Sequence, residues 1–139
     1  MDKPSFEEIE HTADWAIRVR GADLESLLRN AAIGTLQLIG AMPQTGSTQK
    51  RRIELEAYDA ENLLVLWLEE LLYLVEMHGS TFTAFTLNIE QANDNVRLTA
   101  QVQEIPRTDL QKEIKAVTYH NLKIQASDEG LEATLVFDV

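Results

Sequence analysis

The sequence predicts a single α+β domain spanning residues 1–139, in which two helices pack on a mostly antiparallel β-sheet. Three observations support this prediction. Apolar and polar residues alternate near both ends of the chain, two longer segments carry apolar residues at helical spacing, and turn signals separate consecutive strand patterns. A chain of 139 residues is long enough for one substantial hydrophobic core and short for two.

The first half of the chain reads as two strands, a helix and a loop. "SFEEIE" is a weak strand pattern, whereas "DWAIRVRG" alternates clearly, with Trp15, Ile17 and Val19 on one face. "DLESLLRNAAIGTLQLIG" predicts an amphipathic helix that Asp23 caps and Gly40 ends. "AMPQTGSTQKRR" then predicts a mobile loop carrying the basic cluster at residues 50–52.

The second half reads as a strand, a helix and two hairpins. "IELEA" alternates as a strand, and residues 59–77 form a helix that is apolar on nearly every side between Leu63 and Leu68, which places it in the middle of the fold. "FTAFTLNIEQ" and "NVRLTAQVQEI" pair through the turn "ANDN". "IKAVTYHNLKIQA" and "LEATLVFDV" are predicted to pair in the same way across "SDEG".

Composition excludes several function classes. The 12 basic and 23 acidic residues give a formal charge of −11, which opposes direct binding to a polyanion, so any role with RNA is expected to be indirect. Because there is no cysteine, disulfides, thiolate zinc sites and cysteine nucleophiles are excluded. The amino terminus lacks a signal-peptide pattern, and glutamates interrupt the apolar run at residues 62–77, so we expect a cytoplasmic protein without a membrane span.

Candidate site residues are few. No glycine-rich phosphate loop and no Gly-x-Ser-x-Gly motif is present. His11 and Asp14 lie in "EHTADWAI" between two predicted strands, and His120 lies in "TYH"; each is either an ordinary polar strand end or part of a site. His78 follows the long helix, where a cation suits the negative end of the helix dipole.

The carboxyl terminus favours a site. The apolar run before it should hold the last strand in the sheet, which fixes Asp138 and the α-carboxylate of Val139 close together. If Asp14 folds against this end, three carboxylates converge, and a hard divalent cation would neutralise them. The alternative is that Asp138 simply faces water beside a lysine.

Four segments together resemble the archease family: "EHTADWAIRVRG", "LLVLWLEELLYL", "KAVTYHNLKI" and the terminal "VFDV". The resemblance covers nearly the whole chain. It implies a small α+β protein that is not itself an enzyme. Its implied role is to activate the GTP-dependent RNA ligase of tRNA splicing and RNA repair, by promoting guanylylation of the ligase and its multiple turnover.

The resemblance also implies a site for a divalent cation, either calcium or manganese or magnesium, on Asp14, Asp138 and Val139. Supporting or ligase-facing residues would lie at the same end of the sheet: His11, Lys115, Tyr119 and His120. The sequence departs from the family pattern at Trp15 and Ala16, at Leu66 and at Asn121.

Two other functions stay open. One is a metal-dependent phosphoesterase that would use Asp14, Asp138, His11 and His120. The other is a general chaperone-like module that binds proteins through its sheet edge.

Charge is relevant to the activator role that the resemblance implies, because an acidic activator would be attracted to a basic groove on the ligase. The basic cluster at residues 50–52 is either a secondary contact or an ordinary solvated loop.

Overall fold

The computed structural model of the protein describes residues 5–10 and 15–139. These residues form eight strands and two helices. In chain order the elements are β1 (Ser5–Glu10), β2 (Trp15–Gly21), α1 (Leu24–Ile39), β3 (Gln49–Ala57), α2 (Ala60–His78), β4 (Ser80–Ala92), β5 (Asn95–Pro106), β6 (Ala116–Thr118), β7 (Gln125–Ser127) and β8 (Gly130–Asp138).

The strands form two sheets in which every pairing is antiparallel. The five-stranded sheet has the order β1-β2-β8-β6, with β7 also paired to β8, and the three-stranded sheet has the order β3-β5-β4. The predicted α+β class with two helices and antiparallel strands is therefore confirmed, although the strands divide between two sheets. The last strand of the chain, β8, lies inside the larger sheet.

Both helices begin and end where their capping residues indicate. The Asp23 side chain accepts a hydrogen bond from the Ser26 amide at 2.8 Å, and Gly40 ends α1 in the left-handed conformation at φ 77°. α2 contributes much of the core, as its apolar sequence predicts, and its fully buried Trp67 donates from Nε1 to the Leu28 carbonyl of α1 at 2.9 Å. This bond joins the two helices within the core.

The prediction of one strand over "IKAVTYHNLKIQA" is wrong. The chain leaves the sheet after Thr118, makes a turn in which Asn121 has a φ of 51°, and returns as β7 at Gln125. The Leu122 amide closes this turn on the Tyr119 carbonyl at 3.0 Å. β6 and β7 therefore pair with separate parts of β8. Asparagine tolerates the left-handed conformation, which lets the turn form here without glycine.

The prediction that residues 50–52 lie in a mobile loop is also wrong. Lys50, Arg51 and Arg52 belong to β3 and are in register with Gln103, Val102 and Gln101 of β5. Local composition favours a loop at this point, but hydrogen bonding to a strand some fifty positions later extends β3 through the cluster.

Within the part of the chain that the structure describes, neither helix combines the length and apolar character needed to cross a bilayer.

Candidate functional site

The carboxyl-terminal end of β8 is held from both sides. Phe137 is fully buried and stands opposite Trp15 of β2, and the Lys115 amide donates to the Asp138 carbonyl at 2.8 Å. Val139 is half-buried and packs against the core, whereas Asp138 is exposed. The prediction that the apolar run ties the chain end into the sheet is confirmed. The Asp138 side chain and the terminal carboxylate are thus attached to an ordered backbone.

The end of β1 and the start of β2 lie beside the end of β8, at the same edge of the larger sheet. Glu10 is paired with Trp15, and Trp15 is paired with Phe137, the residue before Asp138. The predicted site residues His11 and Asp14 lie outside the described residues, so their assignment stays a prediction. The structure shows that β1 and β2, the strands on either side of residues 11–14, lie next to the end of β8.

The donor atoms at this edge suit a hard cation. Asp138 and Val139 are consecutive, and carboxylate oxygens such as that of Asp138 and the one predicted at Val139 are the ligands that calcium and magnesium take. Residues 5–10 and 15–139 contain no group of three or more metal-ligating side chains. A complete site at this edge would therefore depend on the predicted third carboxylate, that of Asp14.

A lysine that sequence analysis did not single out lies beside this edge. The Lys112 Nζ is 4.3 Å from the centroid of the Trp15 ring and 3.4 Å from Oε1 of Glu8. This geometry is a cation–π contact combined with an exposed ion pair. No local pattern marks Lys112, because only the fold brings it against Glu8 of β1 and Trp15 of β2.

The structure separates the residues that were expected to line one end of the sheet. Lys115 directly precedes β6, whose first residue, Ala116, is opposite Asp138, whereas Tyr119 follows Thr118 at the other end of β6. Three residues of strand place Tyr119 roughly 10 Å from Ala116 along the chain. His120 lies one residue further and is exposed. Lys115 therefore accompanies Asp138, and Tyr119 and His120 belong to a neighbouring surface.

A charged cluster around Glu104 was missed from the sequence. Glu104 is 2% exposed and accepts hydrogen bonds from Nε of Arg51 at 2.9 Å and from Nε2 of Gln49 at 3.0 Å. His78, expected only as a helix-end cation, places its Nδ1 3.4 Å from the second Glu104 oxygen and 3.2 Å from Nη2 of Arg51. Burial raises the pKa of Glu104, but hydrogen bonds from Ser80, Arg51 and Gln49 outweigh burial and hold the pKa below its ordinary value.

The sequence did contain a signal for this cluster. Val96, Leu98, Ala100 and Val102 occupy alternate positions of β5 that face the core, and Glu104 is the next position on that face. A carboxylate in such a register requires partners, and β3 supplies them through Arg51. The cluster joins β3, β5 and the end of α2.

Comparison with known proteins gives a consistent result. The family model described as the archease protein family matches residues 6–139. Relatives named "Protein archease" include one from Methanosarcina barkeri, 34% identical over 139 residues, which covers 96% of this chain and 95% of the relative. Another, from Saccharolobus solfataricus, is 37% identical over 138 residues and covers 96% of this chain and 98% of the relative.

Solved structures agree with the sequence relatives. The solution structure of protein 1598 from Methanobacterium thermoautotrophicum superposes with a TM-score of 0.76 at 27% identity, covering 96% of this chain and 98% of that one. A crystal structure from Thermotoga maritima, described as that of "an archease, possible chaperone", gives a TM-score of 0.63 at 25% identity, covering 100% of this chain and 98% of that one.

Proposed function

This chain belongs to the archease family, and from that premise we propose that it is a divalent-metal-binding protein cofactor that activates a GTP-dependent RNA ligase in tRNA splicing and RNA repair. The chain would not carry out the ligation itself. It would promote guanylylation of the ligase and so allow multiple turnovers. Its partner would be the ligase, and RNA would be met only through that partner.

One observation carries the proposal: pairing with β2 and β6 fixes the end of β8 in an ordered sheet, so Asp138 and Val139, whose carboxylates would be the donors, are held side by side. Two negative charges at one edge repel each other, and the free energy of this arrangement falls when a cation binds between them. Asp138, the Val139 carboxylate and Asp14 would hold the cation. When bound, the ion would supply positive charge between these carboxylates. β2 and the Lys115 amide hold the backbone that orients these donors.

The overall charge supports a protein partner with a basic surface. A net charge of −11 repels RNA but accelerates encounter with the positively charged groove that an RNA-joining enzyme must possess. Lys115, which is exposed beside Asp138, would meet the ligase at the same edge. Calcium, manganese and magnesium are each compatible with a set of carboxylate oxygens.

The decisive test uses Asp138→Asn, with Asp128→Asn as the matched control. Asp128 is also exposed but lies in the turn between β7 and β8, at the far end of the last strand. Calcium and manganese are titrated calorimetrically into each variant, and turnover is then measured with substoichiometric ligase and excess RNA ends. Metal affinity and ligase turnover should fall together in Asp138→Asn and stay unchanged in Asp128→Asn. Full activation by Asp138→Asn would contradict the proposal.

The two other functions make different predictions in the same experiment. A phosphoesterase would cleave a phosphodiester when the pure protein is incubated with manganese, and that cleavage would need no ligase. A general chaperone, in keeping with the words used of the Thermotoga maritima protein, would raise the refolding yield of unrelated proteins independently of Asp138. Activation of one ligase that depends on Asp138 fits neither.

A further inference from the structure

A shallow groove of about 250 Å³ lies beyond β6, between the start of α2, the end of β3 and the start of β5. We call it the tyrosine groove and define it by Tyr58, Asn62, Leu66 and Tyr119. Tyr58 is 80% exposed, Tyr119 is 54% exposed and Leu66 is 36% exposed. Three large apolar side chains thus face solvent around one concave surface.

Such an arrangement is unusual for a surface with no partner. Single exposed apolar residues are ordinary, but several that line one depression mark interaction sites, and tyrosine is among the residues that contribute most to binding energy. Tyr73 provides the comparison within this chain. It lies further along α2, is 55% exposed and does not line the groove.

Carboxylates surround the groove. Glu56 lines it, although Glu56 is partly neutralised by Arg97, whose Nη2 is 3.6 Å from its carboxylate. Asp59 directly follows Tyr58 and caps α2, and Glu69 follows Leu66 by three positions on α2, which places it on the same side of the helix. Burial, followed by the charges of Glu69 and Asp59, raises the pKa of the Tyr119 phenol. Glu69 forms no ion pair with any residue that the structure describes.

We propose that the tyrosine groove binds a basic segment of the partner ligase, with an arginine guanidinium seated between Tyr58 and Tyr119 and its aliphatic part over Leu66. This inference rests on the proposed function, and it names a second contact of the same complex. Guanidinium is planar, stacks on aromatic rings and pairs with carboxylates, so it matches both the tyrosines and the charge of Glu69. Because the groove is acidic, a phosphate-bearing ligand would be repelled.

The position of the groove suits a single partner. Tyr119 follows one end of β6, and Ala116, which is paired with Asp138, begins the other end. The two residues are roughly 10 Å apart along the strand. A protein surface of ordinary interface size spans both places at once. The proposed cation site on Asp14, Asp138 and Val139, which we call the metal edge, and the tyrosine groove would then be two parts of one interface with the ligase.

The test is calorimetric titration of the ligase, without RNA, into the wild-type chain and the variants Tyr58→Ala, Tyr119→Ala and Tyr73→Ala. Each groove variant should weaken binding about tenfold or more, and Tyr73→Ala should stay within about twofold. The melting temperature and calcium affinity of each groove variant should match the wild type, which separates loss of the groove from loss of folding or of the metal site.

A charge-reversal variant tests whether the group bound in the groove is an arginine. Glu69→Lys should weaken binding more strongly at low salt than at high salt, because it places a cation where the guanidinium would lie. If the tyrosine variants lose affinity while Glu69→Lys does not, the occupant is apolar and the arginine assignment is wrong. If they lose affinity for single-stranded RNA or for a second copy of the chain instead, the ligase assignment is wrong.

Failure of this inference is distinguishable from failure of the proposed function. Wild-type activation of the ligase together with unchanged binding by Tyr58→Ala and Tyr119→Ala would overturn the groove and leave the metal edge intact. A wild-type chain that neither binds nor activates the ligase would overturn both.

Discussion

Replacing Arg51 should destabilise the protein far more than replacing either of its basic neighbours. Glu104 is 2% exposed and loses its charged partner in Arg51→Met, so a buried carboxylate remains without its cation. Removing one member of a buried pair costs about 3–5 kcal/mol, and since the Arg51 side chain is 31% exposed we expect a smaller loss, about 2–3 kcal/mol. For a chain of this length the melting temperature should fall by roughly 7–10 °C.

The matched controls are Lys50→Met and Arg52→Met, which change the same charge on the same strand. Both side chains are exposed, and among the described residues Arg52 pairs with the exposed Glu54 alone, at 2.8 Å, so each change should stay within about 0.5 kcal/mol. The measurement is urea denaturation of the three variants and the wild type at pH 7.

The effect of Arg51→Met should also depend on pH. The pKa of Glu104 is lowered in the folded wild type, so its contribution is present above the unfolded-state pKa and is lost as pH falls through the folded value. In the variant, burial acts with less opposition, the pKa of Glu104 rises, and the carboxylate takes up a proton first. The stability difference should therefore narrow from pH 7 toward pH 4. An Arg51→Met effect no larger than that of Lys50→Met would refute this account.

Three further predictions concern the chain end, a hairpin and the metal edge. A tag fused after Val139 turns the terminal carboxylate into an amide and should lower calcium affinity in calorimetry, whereas an amino-terminal tag should not. Gly130→Ala should destabilise the protein by about 1–3 kcal/mol in urea denaturation, since Gly130 has a φ of 126° and an added Cβ would collide with the Gly21 carbonyl oxygen. Lys112→Met should change the Trp15 fluorescence, because it removes the ammonium that lies 4.3 Å from the ring centroid, while lowering stability by no more than about 1 kcal/mol.

Sequence analysis succeeded where the determining contacts are local. Asp23 and Gly40 delimit α1 through hydrogen bonds within a few residues, and Asn93, at φ 55°, forms the turn that "ANDN" predicts. The ordered end of β8 was also predictable, because three consecutive apolar residues have to be buried. At α1 and at the turn the deciding contacts are made by neighbours in the chain, and at β8 the local run of apolar residues indicates burial even though β2, which pairs with it, is distant.

Sequence analysis failed where the contacts are distant. Arg51 sits in a strand because β5 pairs with it and Glu104 accepts its hydrogen bond, about fifty residues away. Tyr58 and Tyr119 meet at one groove although 61 positions separate them in the numbering. No window of local pattern contains both members of such a pair, so neither the basic strand nor the tyrosine groove could be predicted before the fold was known.

The position of β8 in the sheet has a consequence for synthesis. β2 is made early, whereas its partner β8 is made about 110 residues later, which at roughly 5–20 residues per second is a delay of about 5–20 s. The pairing of β2 with β8 can therefore form only after β8 has been made, and the ordered position of Asp138 depends on that pairing. A product truncated before Asp138 would lack this carboxylate, so under the proposed function it would not compete for a metal or a partner.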